Sequence, residues 1–298
     1  MRWPLAAKTA RDWRGGAIGI ALTGAAIGFF DVLVYPQYAE SLKDFENVGW
    51  VQGFVGEAGS FSSPAGFLAT EFFSWIPLLL ITLAIIAATG TLAGDEGEGT
   101  LELVLAQPVS RRRVLWEKAA GLVALLTLSA LVAYPAILAG RLFVDFDLGA
   151  GPIFEAMLNM LPITLLFLAL AFWAAAALPT RAMAASVTIG VLVFAYFINM
   201  VGASVDALAE VRKVSPFYWA DGGRVLVRGF DPVRAGGLLA LAALLFGLAT
   251  WSFERRDISG GAREWSWRLL LGRRHGRAGV ALDAGESVPG VVRPHASG

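Results

Sequence analysis

The chain has 298 residues, of which 56% are apolar and 16% charged, and its formal net charge is zero. Soluble domains are roughly 45–50% apolar and about 25% charged. The composition therefore excludes an ordinary soluble domain, and the zero net charge gives no reason to expect nucleic acid as a partner. Cysteine is absent and the only histidines are His275 and His295, which excludes disulfides, thiolate chemistry and cysteine-based metal sites.

The segment before the first apolar run predicts a helix that lies in the membrane interface. Its apolar positions share one helical face: Trp3, Ala6, Ala10 and Trp13. Lys8 and Asp12 lie on the opposite face, which is the pattern of a helix half-immersed among lipid headgroups.

Six apolar segments follow, each long enough to cross the hydrocarbon core of a membrane, which takes about 20 helical residues. They are residues 15–35, 72–94, 119–140, 156–178, 182–205 and 235–253. Basic residues precede the first segment, as they do in a signal peptide, but its apolar run is longer than usual and no small-residue cleavage site follows. The sequence therefore predicts an all-α integral membrane protein with six retained transmembrane helices.

After the sixth segment the chain becomes polar. Residues 262–274 (AREWSWRLLLGRR) form a second amphipathic segment, and residues 275–298 are dominated by Gly, Pro, Ser and charge. Such a composition predicts disorder. We expect a transmembrane domain over residues 1–256 and a cytoplasmic amphipathic segment with a disordered tail over 257–298.

The distribution of lysine and arginine predicts that both termini are cytoplasmic. With this orientation 17 of the 24 basic residues lie inside, in agreement with the positive-inside rule. The interfacial tryptophans then form a belt at each surface, with Trp75 and Trp219 outside and Trp116 and Trp251 inside. We expect a multi-pass protein of the cell membrane in contact with lipid.

Ionisable residues are nearly absent from the predicted spans. Asp31, near the outer end of the first, is the only acid, and the other five carry no Asp, Glu, Lys, Arg or His. Charged groups at membrane depth mark ion pathways and catalytic sites, so their absence disfavours an ion-driven transporter and an intramembrane enzyme. We expect no catalytic, cofactor or metal site, and we interpret Asp145 and Asp147 as solvated residues rather than calcium ligands.

Prolines and asparagines mark the outer halves of the spans. Pro77, Pro135 and Pro162 predict kinks, which fit ordinary helix shaping or, alternatively, a substrate exit. Asn159 and Asn199 are expected to form hydrogen bonds between helices, with ligand contact as the alternative.

A polar stretch, GDEGEGTLELVLAQPVSRRRVLWEK, occupies residues 94–118 between the second and third spans. It lacks the Lys-Ser/Thr pair of a nucleotide-binding P-loop, and the three acids in GDEGEGT would repel phosphate. We therefore expect that this chain does not hydrolyse ATP.

The same stretch predicts a short helix beneath the membrane. Thr100 is a good N-cap, and Pro108 ends the helix within about two turns. Its apolar face and the flanking acids are Leu101, Val104, Leu105, Glu98 and Glu102. So short a helix is unstable alone, and the acids disfavour anionic headgroups, so the face predicts a cytoplasmic protein partner. Ser110 is expected to cap the next helix, which Arg111 begins.

The residues EGTLELVLAQPVSRRRVLWEK resemble the signature cytoplasmic loop of the ABC-2 type permeases. WSFERRDI after the last span resembles the exit sequence of that family, and VSPFYW resembles an outer segment that forms a re-entrant helical hairpin in related permeases. The resemblance spans roughly residues 1–257. It implies a coupling helix that docks on an ATPase, with the coupling residues Glu98, Gly99, Thr100, Leu101, Glu102, Val104, Leu105, Pro108, Ser110 and Arg111.

The resemblance also implies what the chain does. It is expected to be the transmembrane permease subunit of an ATP-binding cassette exporter, in which a separate ATPase subunit binds ATP. A second permease chain, most simply an identical one, is expected to complete the substrate path along spans two and five. Two alternatives remain open: a non-transporting membrane scaffold or sensor that binds a cassette ATPase, and an intramembrane enzyme.

Overall fold

The computed structural model describes residues 4–41, 58, 60–94 and 109–255. Regular structure within these ranges is helical throughout. In chain order the α-helices are α1 (Pro4–Tyr38), α2 (Pro64–Leu68), α3 (Ile76–Thr89), α4 (Arg111–Leu131), α5 (Ala133–Gly140), α6 (Ala150–Ala177), α7 (Arg181–Ser204), α8 (Ala209–Arg212), α9 (Pro216–Trp219), α10 (Gly222–Arg228) and α11 (Pro232–Arg255). Two π-helical turns, Ala69–Phe73 and Gly90–Gly94, lie on either side of α3.

Six helical stretches in the described residues are long and apolar enough to cross a membrane. Span one is α1, and spans four, five and six are α6, α7 and α11. Span two runs over Pro64–Gly94 and span three over Arg111–Gly140, so each joins more than one helix. The prediction of an all-α protein with six membrane-crossing helices is confirmed.

Five of the six spans are longer than the apolar segments that predicted them, whereas span five, Arg181–Ser204, has the predicted length. Ser63 caps span two, where its Oγ accepts a hydrogen bond from the Gly66 N–H at 3.0 Å, and Pro64 takes the first helical position. Glu71 therefore lies inside span two, and Glu155 lies inside span four, which begins at Ala150. The expectation that spans two to six carry no ionisable residue therefore holds only for their central parts.

Spans two and four form the centre of the bundle. In the most apolar stretch of each, 72% of the residues are buried, against 22% in spans five and six. Span four packs against spans two, five and six, and span one packs along span three. Because lipid is as apolar as these side chains, close packing rather than escape from water holds the spans together.

The predicted interfacial helix is not a separate element. It forms the first turns of α1, which continues to Tyr38 without a break. The predicted stripe is instead a packing face: the Ala6 carbonyl oxygen occupies the space that a side chain on Gly121 of span three would need, and the Trp13 indole reaches Thr91 of span two. An apolar stripe on a helix fits a neighbouring helix as well as it fits headgroups, and here it contacts helices.

Two of the three span prolines coincide with a break in the helix. Pro77 follows the junction between the π-helical turn Ala69–Phe73 and α3, and Pro135 follows the junction at Val132 between α4 and α5. Proline has no N–H to donate to the preceding turn, so the helix lacks a backbone hydrogen bond at each of these points. By contrast, α6 continues through Pro162.

Candidate functional site

Eight of the ten predicted coupling residues lie outside the described residues. These are Glu98, Gly99, Thr100, Leu101, Glu102, Val104, Leu105 and Pro108. The predicted short helix therefore stays a prediction. The structure describes the two ends of the segment that carries it, at Gly94 and from Val109 onward.

Ser110 caps the helix that leaves the polar segment. Its backbone is extended, with φ −70° and ψ 145°, and its Oγ accepts a hydrogen bond from the Arg113 N–H at 3.3 Å. This is the geometry of an N-cap, and the sequence prediction for Ser110 is confirmed. Arg111 is the first residue of α4, and its role in coupling stays a prediction.

Glu117, in the second turn of α4, holds the beginning of α1. Only 3% of Glu117 is exposed. Its Oε1 accepts a hydrogen bond from the Arg113 Nε–H at 2.7 Å, and its Oε2 accepts one from the Leu5 backbone N–H at 3.2 Å. The first N–H groups of a helix have no partner within the helix and carry its partial positive charge. The Glu117 carboxylate supplies that partner, so span three fixes the start of span one.

Lys118 and Trp13 hold the end of span two, where the polar segment begins. The Lys118 Nζ donates a hydrogen bond to the Thr91 carbonyl oxygen at 2.7 Å, and only 4% of Lys118 is exposed. The Trp13 Nε1–H donates to the Thr91 Oγ1 at 2.9 Å. Thr91 belongs to the π-helical turn Gly90–Gly94, so α1 and span three both bind the last turn before the segment.

Residues 95–108 are therefore bracketed by helices that contact each other. Thr91 precedes the segment, Lys118 follows it, and the hydrogen bond between them joins the two ends. The contacts of Glu117, Lys118 and Trp13 are not among the sequence predictions. The available signal was the Trp-Glu-Lys at the end of the quoted stretch, which places an acid and a base early in an otherwise apolar helix.

The two span asparagines bind the segment between spans five and six. Asn159 Nδ2 donates to the Ala220 carbonyl oxygen at 3.0 Å, and Asn199 Oδ1 accepts from the Arg212 Nε–H at 3.1 Å. The expected hydrogen bond between helices is confirmed for Asn199, because Arg212 belongs to α8, whereas Asn159 binds Ala220, the residue that follows α9. Both amides satisfy polar groups of a segment that packs against the bundle.

The segment between spans five and six contains the short helices α8, α9 and α10. Its helical content agrees with the resemblance, although it has three short helices rather than a two-helix hairpin. Ser215 anchors it, because the Ser215 Oγ donates to the Ala195 carbonyl oxygen at 2.7 Å. Two guanidinium groups contact the Tyr218 ring, that of Arg234 at 4.6 Å and that of Arg212 at 5.3 Å from its centroid.

A cavity of about 60 Å³ opens between this segment and spans two, four and five. Its polar lining consists of Ser74, Tyr196, Asn199, Arg212 and Asp221. The Arg212 guanidinium is 3.5 Å from the Asp221 carboxylate, so the two charges in the cavity offset each other. The cavity has room for a few water molecules and not for a lipid-sized cargo.

Charged groups outside the spans form local pairs in the same region. Asp231 accepts hydrogen bonds from the Arg234 and Val233 N–H groups, and these bonds lower the pKa of its carboxyl below the ordinary value. Glu210 accepts a hydrogen bond from the Lys213 ammonium at 2.6 Å and raises the pKa of that ammonium. Both pairs are structural contacts between neighbouring residues and do not form a reaction centre.

Asp145 and Asp147 are both exposed, on the connection between spans three and four. In the part of the chain that the structure describes, no three residues among His, Cys, Asp and Glu come together as a metal site would require.

A family model described as ABC-2 family transporter protein matches residues 3–258. The chain belongs to the ABC-2 transporter family. This ABC-2 protein is accordingly a multi-pass membrane component of a transporter, of a type that is not itself the ATPase. A comparison with curated proteins gave no match. The amphipathic segment 262–274 and the tail 275–298, predicted from the sequence, lie outside the described residues.

Proposed function

We propose that this ABC-2 protein is the permease subunit of an exporter whose ATP is bound and hydrolysed by a separate cassette ATPase. The observation that carries the proposal is the family match over residues 3–258 in a sequence that contains no P-loop. A transporter of this class needs ATP, so a chain without a nucleotide-binding motif needs a partner that supplies it.

Residues 98–111 are the proposed docking element for that ATPase. Their pattern gives a short helix with an apolar face and flanking acids, and the buried contacts of Thr91 and Glu117 hold the two ends of the segment in place. Because the two ends of the segment are held, a short helix within it would lose less conformational entropy when it binds a partner. ATP itself binds to the partner, and this chain holds no cofactor of its own.

Two permease chains, most simply identical, are proposed to form the substrate route between them. Apolar side chains fill the described interior of one bundle, which leaves no polar passage through that part of a single chain. Span two exposes one narrow stripe, formed by Trp75, Leu79, Thr82 and Ile86. Their spacing of three to four residues places them on one helical face. A second permease chain would pack against span two along this stripe.

The cargo is proposed to be amphiphilic or hydrophobic. The central parts of spans two and five carry no ionisable side chain, so they offer no charge that would compensate a bare ionic cargo at membrane depth. The outer surface of span five is apolar as well, with Val187, Val193 and Phe194 exposed.

Co-expression with a cassette ATPase tests this function. We expect the ATPase to co-purify with the chain and ATP to drive cargo movement in proteoliposomes over a panel of amphiphiles. Stable ATPase binding without movement of any cargo would favour the scaffold or sensor alternative, and absence of ATPase binding would contradict the proposal.

The proposed orientation places both termini and residues 95–118 in the cytoplasm. The four belt tryptophans, Trp75, Trp116, Trp219 and Trp251, are all exposed, which suits residues at membrane surfaces. Cysteines introduced by Ser62→Cys and Ser110→Cys report on which side of the membrane each position lies, because the natural chain has no cysteine. In intact cells, an impermeant thiol reagent is expected to label Ser62→Cys and to spare Ser110→Cys until the membrane is opened. Labelling of Ser110→Cys from outside would reverse the orientation.

A further inference from the structure

The cytoplasmic ends of spans one, two and three form a closed set of contacts. Glu117 of span three binds the start of α1 through the Leu5 N–H, Lys118 of span three binds the Thr91 carbonyl oxygen, and Trp13 of α1 binds the Thr91 hydroxyl. Each of the three helices therefore contacts the other two through a side-chain hydrogen bond. The side chains that make these contacts are those of Trp13, Thr91, Glu117 and Lys118.

The burial of Lys118 needs an explanation beyond stability. A buried ammonium carries a desolvation penalty that its hydrogen bonds must offset. An apolar side chain of similar length would fill the same space without that penalty. What the ammonium adds is a directional attachment to the Thr91 backbone carbonyl of span two, 2.7 Å away.

The attached carbonyl lies in an unusual piece of helix. Gly90–Gly94 is π-helical, and single π turns inside α-helices are rare and frequent at functional sites. A side chain on Gly90 would come within 2.8 Å of the Trp13 ring and 3.2 Å of the Arg181 guanidinium. The turn is therefore packed by α1 and by the start of span five, and the polar segment continues directly from its last residue.

We propose that Lys118 is a positioning residue that makes the last turn of span two move together with spans one and three when the ATPase displaces residues 95–108. This inference rests on the proposed function. Without the Lys118 bond, only the Trp13 hydrogen bond and packing would join the π-helical turn to its neighbours, so the turn would take up more of the displacement locally. Lys118 contacts neither cargo nor ATP in this account and acts through Thr91.

The first test needs no transport and uses the full chain in detergent. Lys118→Met keeps most of the stem and removes the donor, and Lys118→Arg keeps a donor. Hydrogen exchange at residues 90–94 is expected to be at least about tenfold faster in Lys118→Met, since a charged hydrogen bond of this kind corresponds to a factor of that size. Lys118→Arg is expected to restore most of the protection. Lys8→Met, at an exposed lysine of α1, is the matched control and is expected to leave exchange unchanged. Unchanged exchange in Lys118→Met would overturn the proposal.

The second test measures cargo moved per ATP hydrolysed in the reconstituted complex. The Lys118→Met complex is expected to retain the ATPase and to hydrolyse ATP at close to the wild-type rate. Its ratio of cargo moved to ATP hydrolysed is expected to fall about tenfold, and Lys118→Arg is expected to restore that ratio. Trp13→Phe keeps an aromatic ring and removes the N–H donor together with part of the indole, and a smaller loss of the ratio is expected because a neutral hydrogen bond contributes less. This milder variant serves if Lys118→Met fails to fold.

The two tests separate this inference from the proposed function. A wild-type ratio in both Lys118→Met and Trp13→Phe would overturn the inference and leave the permease assignment intact. Loss of ATPase binding and coupling together, without recovery in Lys118→Arg, would assign Lys118 a structural role and also overturn it. A wild-type chain that binds no ATPase would contradict the proposed function, whereas the exchange result would still report whether Lys118 fastens the turn.

Discussion

Leu101→Asp is expected to weaken association with the ATPase by at least about 100-fold while membrane insertion is unchanged. The apolar face of the predicted short helix consists of Leu101, Val104 and Leu105. Burying two or three such side chains contributes several kcal/mol at ~25 cal/mol per Å², and an unpaired carboxylate in the same contact adds a desolvation penalty. Insertion should not change, because residue 101 lies outside the predicted hydrocarbon spans.

The measurement pairs two readouts on one sample: fluorescence-detected size-exclusion chromatography for insertion and folding, and co-purification for ATPase binding. Glu98→Ala is the companion variant, since a charge at the rim of an interface contributes little affinity. It should reduce coupling more than assembly. Normal ATPase binding and full transport by Leu101→Asp would mean that the stretch is only a connecting loop.

Gly121→Leu is expected to destabilise the bundle strongly. The Ala6 carbonyl oxygen occupies the position that a Cβ on residue 121 would take, and a backbone atom cannot swing aside as a side chain can. Overpacking of this kind costs typically about 1–3 kcal/mol and occasionally more. We expect the upper end, because Glu117, one turn before Gly121, holds the first turn of α1 in place through the Leu5 N–H.

Thermal unfolding monitored by size-exclusion chromatography measures this destabilisation. We expect a lower Tm for Gly121→Leu than for wild type. Gly247→Leu is the matched control, because a Cβ at Gly247 of span six meets nothing within 4 Å. Equal Tm values for the two variants would show that α1 does not pack against span three as described.

The six spans could be predicted from the sequence because membrane-crossing length depends on apolar length alone. The beginning of span two at Pro64 does not follow from apolar length, because the Ser63 cap sets it. The stripe of Ala6, Ala10 and Trp13 was assigned to the interface because amphipathicity does not reveal what covers the apolar face. Here Gly121 of span three makes room for a close helix contact, and that pairing is not local in sequence.

Polar contacts between distant residues were the least predictable part of the site. Asn159 and Asn199 are polar groups in apolar helices, so a hydrogen-bond partner was expected, but its location in the outer segment depends on how that segment folds back. In the same way, Lys118 follows Thr91 by 27 positions, and neither residue alone indicates the contact. Ser110 was predictable because capping is local.

Native mass measurement of the purified complex tests the central claim most directly. After co-expression of the chain with its cassette ATPase and gentle extraction, the account predicts a particle with two permease chains and two ATPase subunits. Leu101→Asp, prepared in the same way, should give permease without ATPase. A particle with one permease chain per ATPase pair, or a wild-type chain that is recovered only without ATPase, would contradict the account.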